Sequence, residues 1–332
     1  MPNAAQQPLG GPTSTQRRGV ELVGVGLAVP EEVVSNEPIA ARLGIDEEWI
    51  HRRTGTRERH VATPGQRLDE FAASAATAAL EQAGVDAADV DLVLVGTTSP
   101  EEMSPHAAPL VAADIGARGA GAIDVSAACT GFLSCLALGS AQIEAGRATT
   151  VVAIGADLLT RYLDKDDKRS AMLFGDGAGA VVLRASEGPT RLGPAVLHSD
   201  GAGRDLIRLD RDEQLIRMDG AAVYRHAVTH MTEVTQEAAD AAGVRVEDID
   251  LFIYHQANSR IIEAVGKRLA LDPARVVNVI GDYANTSAAS LPIGVADADR
   301  EGRLHRGDRV LLAAFGAGMV WGGVVLEWWK GD

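Results

Sequence analysis

The chain repeats itself at one fixed separation, and this restricts its fold more than any single segment does. Ala83-Gly-Val-Asp-Ala-Ala-Asp-Val-Asp-Leu92 lines up with Ala242-Gly-Val-Arg-Val-Glu-Asp-Ile-Asp-Leu251, and the same separation brings Val151–Ile154 onto Val310–Ala313. One such match is weak, because helix–glycine–loop–strand units are common; two at one separation indicate a duplicated unit. In a chain of 332 residues, that implies one body made of two similar halves. The expected division is a flexible tail over residues 1–17, a first half over 18–188 and a second over 189–332. A site at their junction would draw residues from both.

Short apolar runs alternate with longer amphipathic ones, the pattern of an α/β protein whose strands are covered by helices on both faces. The runs Val20–Val25, Val90–Val95, Val151–Ile154 and Ala178–Leu183 read as strands, as do Leu251–Tyr254, Val310–Ala314 and Gly323–Trp328. Helical spacing predicts helices over Leu68–Ala83, Thr130–Ala145, Tyr224–Ala242 and Ser259–Leu269. Gly84 and Gly243 stand where helix C-caps belong. With aromatics at 4% and 36 glycines, small side chains must carry much of the packing.

Composition narrows the function. A formal charge of −15 excludes a generalist nucleic-acid binder, which needs Lys and Arg to neutralise phosphates. The two cysteines are too few for a disulfide framework and suit a reducing, cytoplasmic setting. The start of the chain carries no apolar run of the kind a signal peptide needs, and no apolar stretch approaches the roughly 20 residues that span a bilayer. No membrane association is expected.

Four segments carry candidate chemistry. Asp124-Val-Ser-Ala-Ala-Cys129-Thr-Gly-Phe-Leu reads as a strand, a tight turn and a helix start, where the helix dipole and unpaired N–H groups favour thiolate. From this segment alone, Cys129 is either a nucleophile or a small buried side chain; Cys135, further along the same helix, reads as core packing. His255 ends the strand Leu251–Tyr254 and opens Gln256-Ala-Asn-Ser-Arg260, so it either serves a substrate or is a satisfied structural histidine. Asn285, in Tyr283-Ala-Asn-Thr-Ser-Ala-Ala-Ser290, reads on its own as a helix cap. Phe315-Gly-Ala-Gly-Met-Val-Trp-Gly322 can turn its backbone N–H groups on one point. Gly175-Asp-Gly-Ala-Gly-Ala180 has the look of a dinucleotide loop, but it runs directly into a strand rather than a helix, and a nicotinamide cofactor is rejected.

Together with Glu48-Trp-Ile-His-Arg-Arg53-Thr-Gly-Thr-Arg57-Glu-Arg-His60 and Leu173–Ala180, these motifs resemble β-ketoacyl-acyl-carrier-protein synthase III over about residues 18 to 330. The resemblance implies a thiolase-type α/β fold, two duplicated halves in a layered α-β-α-β-α body. It implies an acyltransferase in which Cys129 takes an acyl group from acyl-CoA, and His255 and Asn285 then support decarboxylative condensation with malonyl-acyl carrier protein. Fatty acid initiation and polyketide priming both fit. The alternative is plain acyl transfer to a hydroxyl or amine without condensation. No cofactor or metal is implied beyond the two thioester substrates.

By the same resemblance, Phe315, Gly316 and Ala317 form the gate and oxyanion hole. Trp49, Arg53, Lys168, Tyr224 and Asn258 contact CoA, and Arg59 is expected in a solvated or inter-element ion pair. Gln256, Ala257, Asn258, Ser259 and Arg260 contact the acyl carrier protein. Arg260, with Lys267 and Arg268, would give an acidic carrier a basic patch on an otherwise acidic enzyme. A homodimer is implied, with Ser104 standing where the family commonly places an aromatic that closes the partner's acyl pocket; serine leaves it roomier. Lys168-Arg169 replaces a common Arg-Gly, and Ala284 replaces the usual Gly before Asn285.

Overall fold

The computed structural model describes residues 18–329, so the tail expected over residues 1–17 lies outside the described residues. In chain order it runs β1 (Gly19–Ala28), β2 (Val33–Ser35), α1 (Asn36–Leu43), α2 (Glu47–Thr54), β3 (Glu58–His60), α3 (Leu68–Ala83), β4 (Leu92–Gly96), α4 (Ala107–Asp114), β5 (Gly121–Val125), α5 (Gly131–Glu144), β6 (Thr150–Leu158) and β7 (Asp176–Ser186). There follow β8 (Val196–Ser199), β9 (Ile207–Leu209), β10 (Ile216–Met218), α6 (Gly220–Ala241), β11 (Leu251–Tyr254), α7 (Ser259–Arg268), β12 (Val276–Val277), α8 (Ile280–Tyr283), α9 (Ser290–Arg300), β13 (Arg309–Gly316) and β14 (Val320–Glu327).

Two five-stranded sheets dominate, in the orders β1-β7-β6-β4-β5 and β8-β14-β13-β11-β12. Position for position they match: three parallel strands at one side, two antiparallel at the other. Even the register repeats: Leu92 pairs with Val151, and their counterparts under the sequence repeat, Leu251 and Val310, pair with each other. The repeated Asp before each strand explains why the motif recurs. Asp91 accepts the Thr150 N–H at 3.1 Å and Asp250 accepts the Arg309 N–H at 2.8 Å, fixing the start of the neighbouring strand in both sheets. Gly84 and Gly243 cap the preceding helices at φ 62° and 70°, a conformation that favours glycine.

The layers follow from burial. Helices α3 and α4 cover the outer face of the first sheet, α6 and α7 that of the second, while α5 and α9 fill the layer between the two. Every residue of β6 is buried, as a parallel strand covered on both faces requires. Helix α9 is buried from Ser290 through Ala298, and its residues there are small or aliphatic except Asp297, whose carboxylate accepts from Tyr283 and Arg300. The glycines of β7 serve this layer: a Cβ on Gly179 would lie 2.8 Å from the α9 backbone. That accounts for the glycine-rich run without a nucleotide.

The predicted strands and long helices occur, α3 and β11 at their predicted limits and the others with shifted ends. Several further elements have no readable period in the sequence. The edge strand β5 has no buried residue, β12 has two residues, and α4 is apolar but for Asp114 at its end.

One close approach holds the layers together. Gly155 in β6 faces Ala288, and a Cβ there would come 2.1 Å from the Ala288 carbonyl oxygen. Gly155→Ala should therefore cost on the order of 3 kcal/mol in urea unfolding. Gly119→Ala, at a position with open space around it, should change stability by no more than about 0.5 kcal/mol.

Candidate active site

Two short turns meet between the sheets. Ala128–Thr130 leads into α5 and Ser287–Ala289 into α9, and the two are equivalent under the sequence repeat. Both begin with a positive φ on a non-glycine residue, 45° at Ala128 and 51° at Ser287. Such backbone is disfavoured for L residues and is held here by packing. The turns contact each other, and each also packs on the other sheet, Ala128–Thr130 on β13 and Ser287–Ala289 on β6. At the end of β13, a Cβ on Gly316 would sit 2.9 Å from the Cys129 nitrogen and 3.2 Å from Sγ. Only glycine fits there.

Cys129 is half-buried at the floor of a cavity of about 1250 Å³ that His255, Asn285, Ser287, Phe315, Gly316 and Ala317 also line. The backbone N–H groups of Cys129 and Ala317 are directed at its sulfur. Ser287 Oγ lies 3.5 Å from Sγ. The helix start does not make a resting thiolate, contrary to the expectation from sequence. Burial pushes the thiol up to about 11, outweighing the Ser287 contact, with the Asp157 charge acting in the same direction as burial. Cys135 is fully buried in the central core.

His255 follows β11, where its backbone N–H is held by the Ala313 carbonyl at 2.8 Å. Burial pulls its imidazole down to about 4, so the ring is neutral at neutral pH. Its Nδ1 lies 2.6 Å from Ser290 Oγ, which also accepts from the Gln256 N–H at 3.4 Å. The hydroxyl has a proton of its own to give to Nδ1, and in that arrangement the ring proton is on Nε2, the nitrogen left for the cavity. Asn285 is buried beside Phe174, and its Oδ1 accepts the Ser287 N–H at 2.9 Å. Its amide N–H₂ is therefore the group it can offer. The residue is at once a turn cap, as its type suggested, and a donor. Ala284 holds φ 56° and ψ −154°, a region natural to the glycine it replaces.

Of the expected CoA residues, Trp49, Arg53, Tyr224 and Asn258 line the cavity. Arg53 stacks over Trp49 at 5.2 Å. The Asn258 side chain caps α7 through the Arg260 N–H and donates to the Arg53 carbonyl at 3.0 Å, tying α7 to α2. Lys168 is a correction: it is exposed and does not line the cavity, whereas its neighbour Arg169 does, braced by Asp167. Gln256 is a second. It is buried with its amide spent on the Tyr254 and Val277 carbonyls and the Val279 N–H, so it has nothing to offer a partner protein. Ser259 is also buried, packed against Gly55 and bonded to Asn278, while Arg260 is exposed and Ala257 half-exposed. Arg59 is a third correction, being buried rather than solvated or ion-paired. It gathers the Val34, Ser35 and Met172 carbonyls and Asn36 Oδ1, and burial pulls it down to about 10. Ser104 is exposed between β4 and α4 and does not line the cavity of its own chain, although Met103 and His106 beside it do.

Sequence reasoning passed over Arg208, Arg211 and Arg225, which join Arg53, Arg169 and Arg260 around the cavity, against two acids, Glu102 and Asp124. The signal was present as Arg208 in β9, Arg211 in the loop after it and Arg225 in α6 of an acidic chain, but the β9–β10 hairpin had no readable period.

Matching sheets around a buried helix pair, with a cysteine at the crossing, define the thiolase-type α/β class. Residues 123–201 match the model for 3-oxoacyl-[acyl-carrier-protein] synthase III, and residues 239–328 the model for its C-terminal part. A Streptomyces coelicolor β-ketoacyl-[acyl-carrier-protein] synthase III 2 is 46% identical over 94% of both chains. The priming β-ketosynthase of the R1128 polyketide pathway superposes with a TM-score of 0.92 at 33% identity, covering 97% of this chain and 100% of its own. The Aquifex aeolicus 3-oxoacyl-[acyl-carrier-protein] synthase III gives 0.90 at 37%, covering 93% and 100%. The chain belongs to the 3-oxoacyl-[acyl-carrier-protein] synthase III family.

The buried neutral imidazole has a measurable consequence. With a folded value of about 4 against 6.5 unfolded, acid protonates His255 in the unfolded chain first. Stability is then full above about pH 6.5 and falls towards pH 4. About 2 kcal/mol of the loss between pH 7 and pH 5 should disappear in His255→Asn, as read from urea unfolding at the two pH values.

Proposed function

We propose that the protein is a β-ketoacyl-[acyl-carrier-protein] synthase III that joins an acyl group from acyl-CoA to malonyl-acyl carrier protein with loss of carbon dioxide. The observation that carries this is the convergence on one cavity of a thiol, two backbone N–H groups that act on its sulfur, and two neutral side chains with N–H groups to offer, the His255 imidazole and the Asn285 amide.

In this reading the Cys129 sulfur attacks the acyl thioester and CoA leaves, splitting a hard condensation into two easier steps. The Cys129 and Ala317 N–H groups hold the oxyanion. Malonyl thioester then enters. As its carboxylate departs as carbon dioxide, charge gathers on the thioester oxygen, where His255 and Asn285 donate. Neutral donors suit an enolate that must remain reactive. The carbanion attacks the acyl-cysteine carbon, the tetrahedral intermediate collapses, and Cys129 is released with the β-ketoacyl product. Phe315, buried and stacked on His230, keeps water from the acyl-enzyme. Simple acyl transfer has less use for Asn285, since it forms no enolate.

The arginines around the cavity suit the phosphates of CoA, with Trp49 stacking on the base. Arg260, Lys267 and Arg268 on α7 form the carrier-protein patch, together with the exposed part of Ala257 and Asn258. A second copy of the chain brings its own Ser104 towards the acyl pocket. The reducing cytoplasm keeps the Cys129 thiol free.

Cys129→Ser should abolish the acyl mass adduct formed with acyl-CoA, read by intact-protein mass spectrometry. Asn285→Ala should retain the adduct yet release labelled carbon dioxide from malonyl carrier protein on the order of 100-fold more slowly. A panel of acyl-CoAs offered with malonyl carrier protein, read by product mass, separates condensation from transfer and identifies the starter.

A further inference from the structure

Phe315 is fixed at its backbone and free to turn at its ring. It pairs directly opposite Trp321 across β13 and β14, and Trp321 pairs opposite His198 across β14 and β8. Residues directly opposite share a face, so the three side chains stand in one row, on the face that α6 covers. A ring from α6 packs against two of them. The His230 centroid lies 4.0 Å from that of Trp321 and 5.9 Å from that of Phe315, with planes 16° and 17° apart. Trp321 stacks in turn on His198 at 5.5 Å. His230 is half-buried, and its Nδ1 lies 3.2 Å from Glu233 Oε2, about one turn along the helix.

The row ends beside the thiol. Phe315 lines the cavity, and in the next residue, Gly316, a Cβ would sit 2.9 Å from the Cys129 nitrogen. His230 is not part of the lining and meets the cavity through Phe315. The α6 residues that do line it include Val223, Ala227 and Met231, which carry no ring. With its backbone locked in the ladder, Phe315 still has its side-chain rotamers to choose among. A neighbouring ring in near-parallel, offset contact favours one of them. Helix α6 itself has no need of a ring at position 230, since histidine is a middling helix former and the site is open to solvent on one side.

We infer that His230 is the positioning residue of the gate: backed by Trp321 and held by Glu233, its ring keeps Phe315 across the approach to Cys129. This rests on the shielding role given to Phe315 above. His230 touches neither the thiol nor a substrate and acts by selecting the Phe315 rotamer. Without its ring, Phe315 swings away from the approach, and bulky reagents and water reach the sulfur more often.

Alkylation of Cys129 by a small reagent, iodoacetamide, and by a bulky one, N-phenylmaleimide, tests this without any acyl substrate, each rate being read by intact mass. The bulky-to-small ratio reports the gate, because a change in the thiol's own reactivity moves both rates together. Cys135 is fully buried in the core and out of reach. Phe315→Leu should raise the ratio and mark the open gate. His230→Gln, which can still bond to Glu233 but has no ring, should raise it about three- to tenfold, the factor that aromatic pairs supply. His230→Phe, which keeps the ring and loses the bond, should match the wild type. An unchanged ratio in a folded His230→Gln overturns the inference, and so does a ratio in His230→Phe as high as that in His230→Gln. Should His230→Gln not fold, His230→Leu is judged by the same ratio. The lifetime of an acyl adduct on Cys129, held without malonyl carrier protein, should shorten by the same factor in His230→Gln and recover in His230→Phe, a rescue that a loss of stability alone does not produce. A ratio unmoved in Phe315→Leu overturns the gate and this inference with it. A wild type that forms no acyl adduct overturns the proposed reaction instead, and the alkylation ratio still decides the role of His230.

Discussion

The structure depends on the crossing of two backbone turns between two sheets. Ala128–Thr130 and Ser287–Ala289 each leave their own sheet, hold a disfavoured positive φ, and press against the strand end of the other. Contact this close leaves no room for Cβ atoms at Gly155 or Gly316, where they would lie 2.1 and 2.9 Å from backbone atoms across the interface, nor at Gly96, where one would lie 2.5 Å from the Gly131 backbone that opens α5. The buried faces of α5 and α9 supply the driving force, and the glycines decide how near the turns come. The cysteine, the histidine and the asparagine converge because the elements carrying them are fixed by this one crossing.

Burial has opposite effects on the two titratable groups at the cavity floor. It raises the Cys129 thiol to about 11 and lowers the His255 imidazole to about 4, so both favour their neutral forms. A helix start alone would have suggested thiolate, but a helix terminus contributes only about 0.3 to 2 kcal/mol, and desolvation exceeds it here. Charge is kept to the cavity's walls and mouth. Arginines gather there on a chain of net charge −15. Anions are drawn to the mouth while the floor stays neutral, which suits thioester chemistry, where charge appears only transiently.

Much of this was legible in the sequence because it rests on periodicity and on residue type at element ends. The repeat that aligns Ala83 with Ala242 reappears in strand order, register and turn geometry, and helix α3 matches its predicted limits. What escaped reading had no local signal. Gln256 sits in a motif that resembles a docking segment, yet its amide is consumed by backbone groups, and only three-dimensional packing reveals that. Lys168 and Arg169 are adjacent cations of which one faces the cavity, a distinction set by the loop's path. Arg59 looked like a surface charge because its carbonyl partners come from segments far apart in the chain. Asp157 ends a strand whose apolar run reads as pure core.

Duplication creates two equivalent places for chemistry at the crossing, but the chain uses each pair of positions only once. At the separation that sets Ala83 on Ala242, Cys129 corresponds to Ala288, His255 to Gly96, Asn285 to Ser126, Asp157 to Gly316 and Ser290 to Gly131. In every pair one member carries a functional group and the other is small. The reason is spatial. A side chain at Gly96 would strike the Gly131 backbone at 2.5 Å, and one at Gly316 would strike Cys129 itself. With the turns in contact, the volume that admits a substrate on one side is filled by backbone on the other. A symmetric pair of centres would force the turns apart and lose the packing that positions either. The scaffold can be symmetric; the site at its centre cannot.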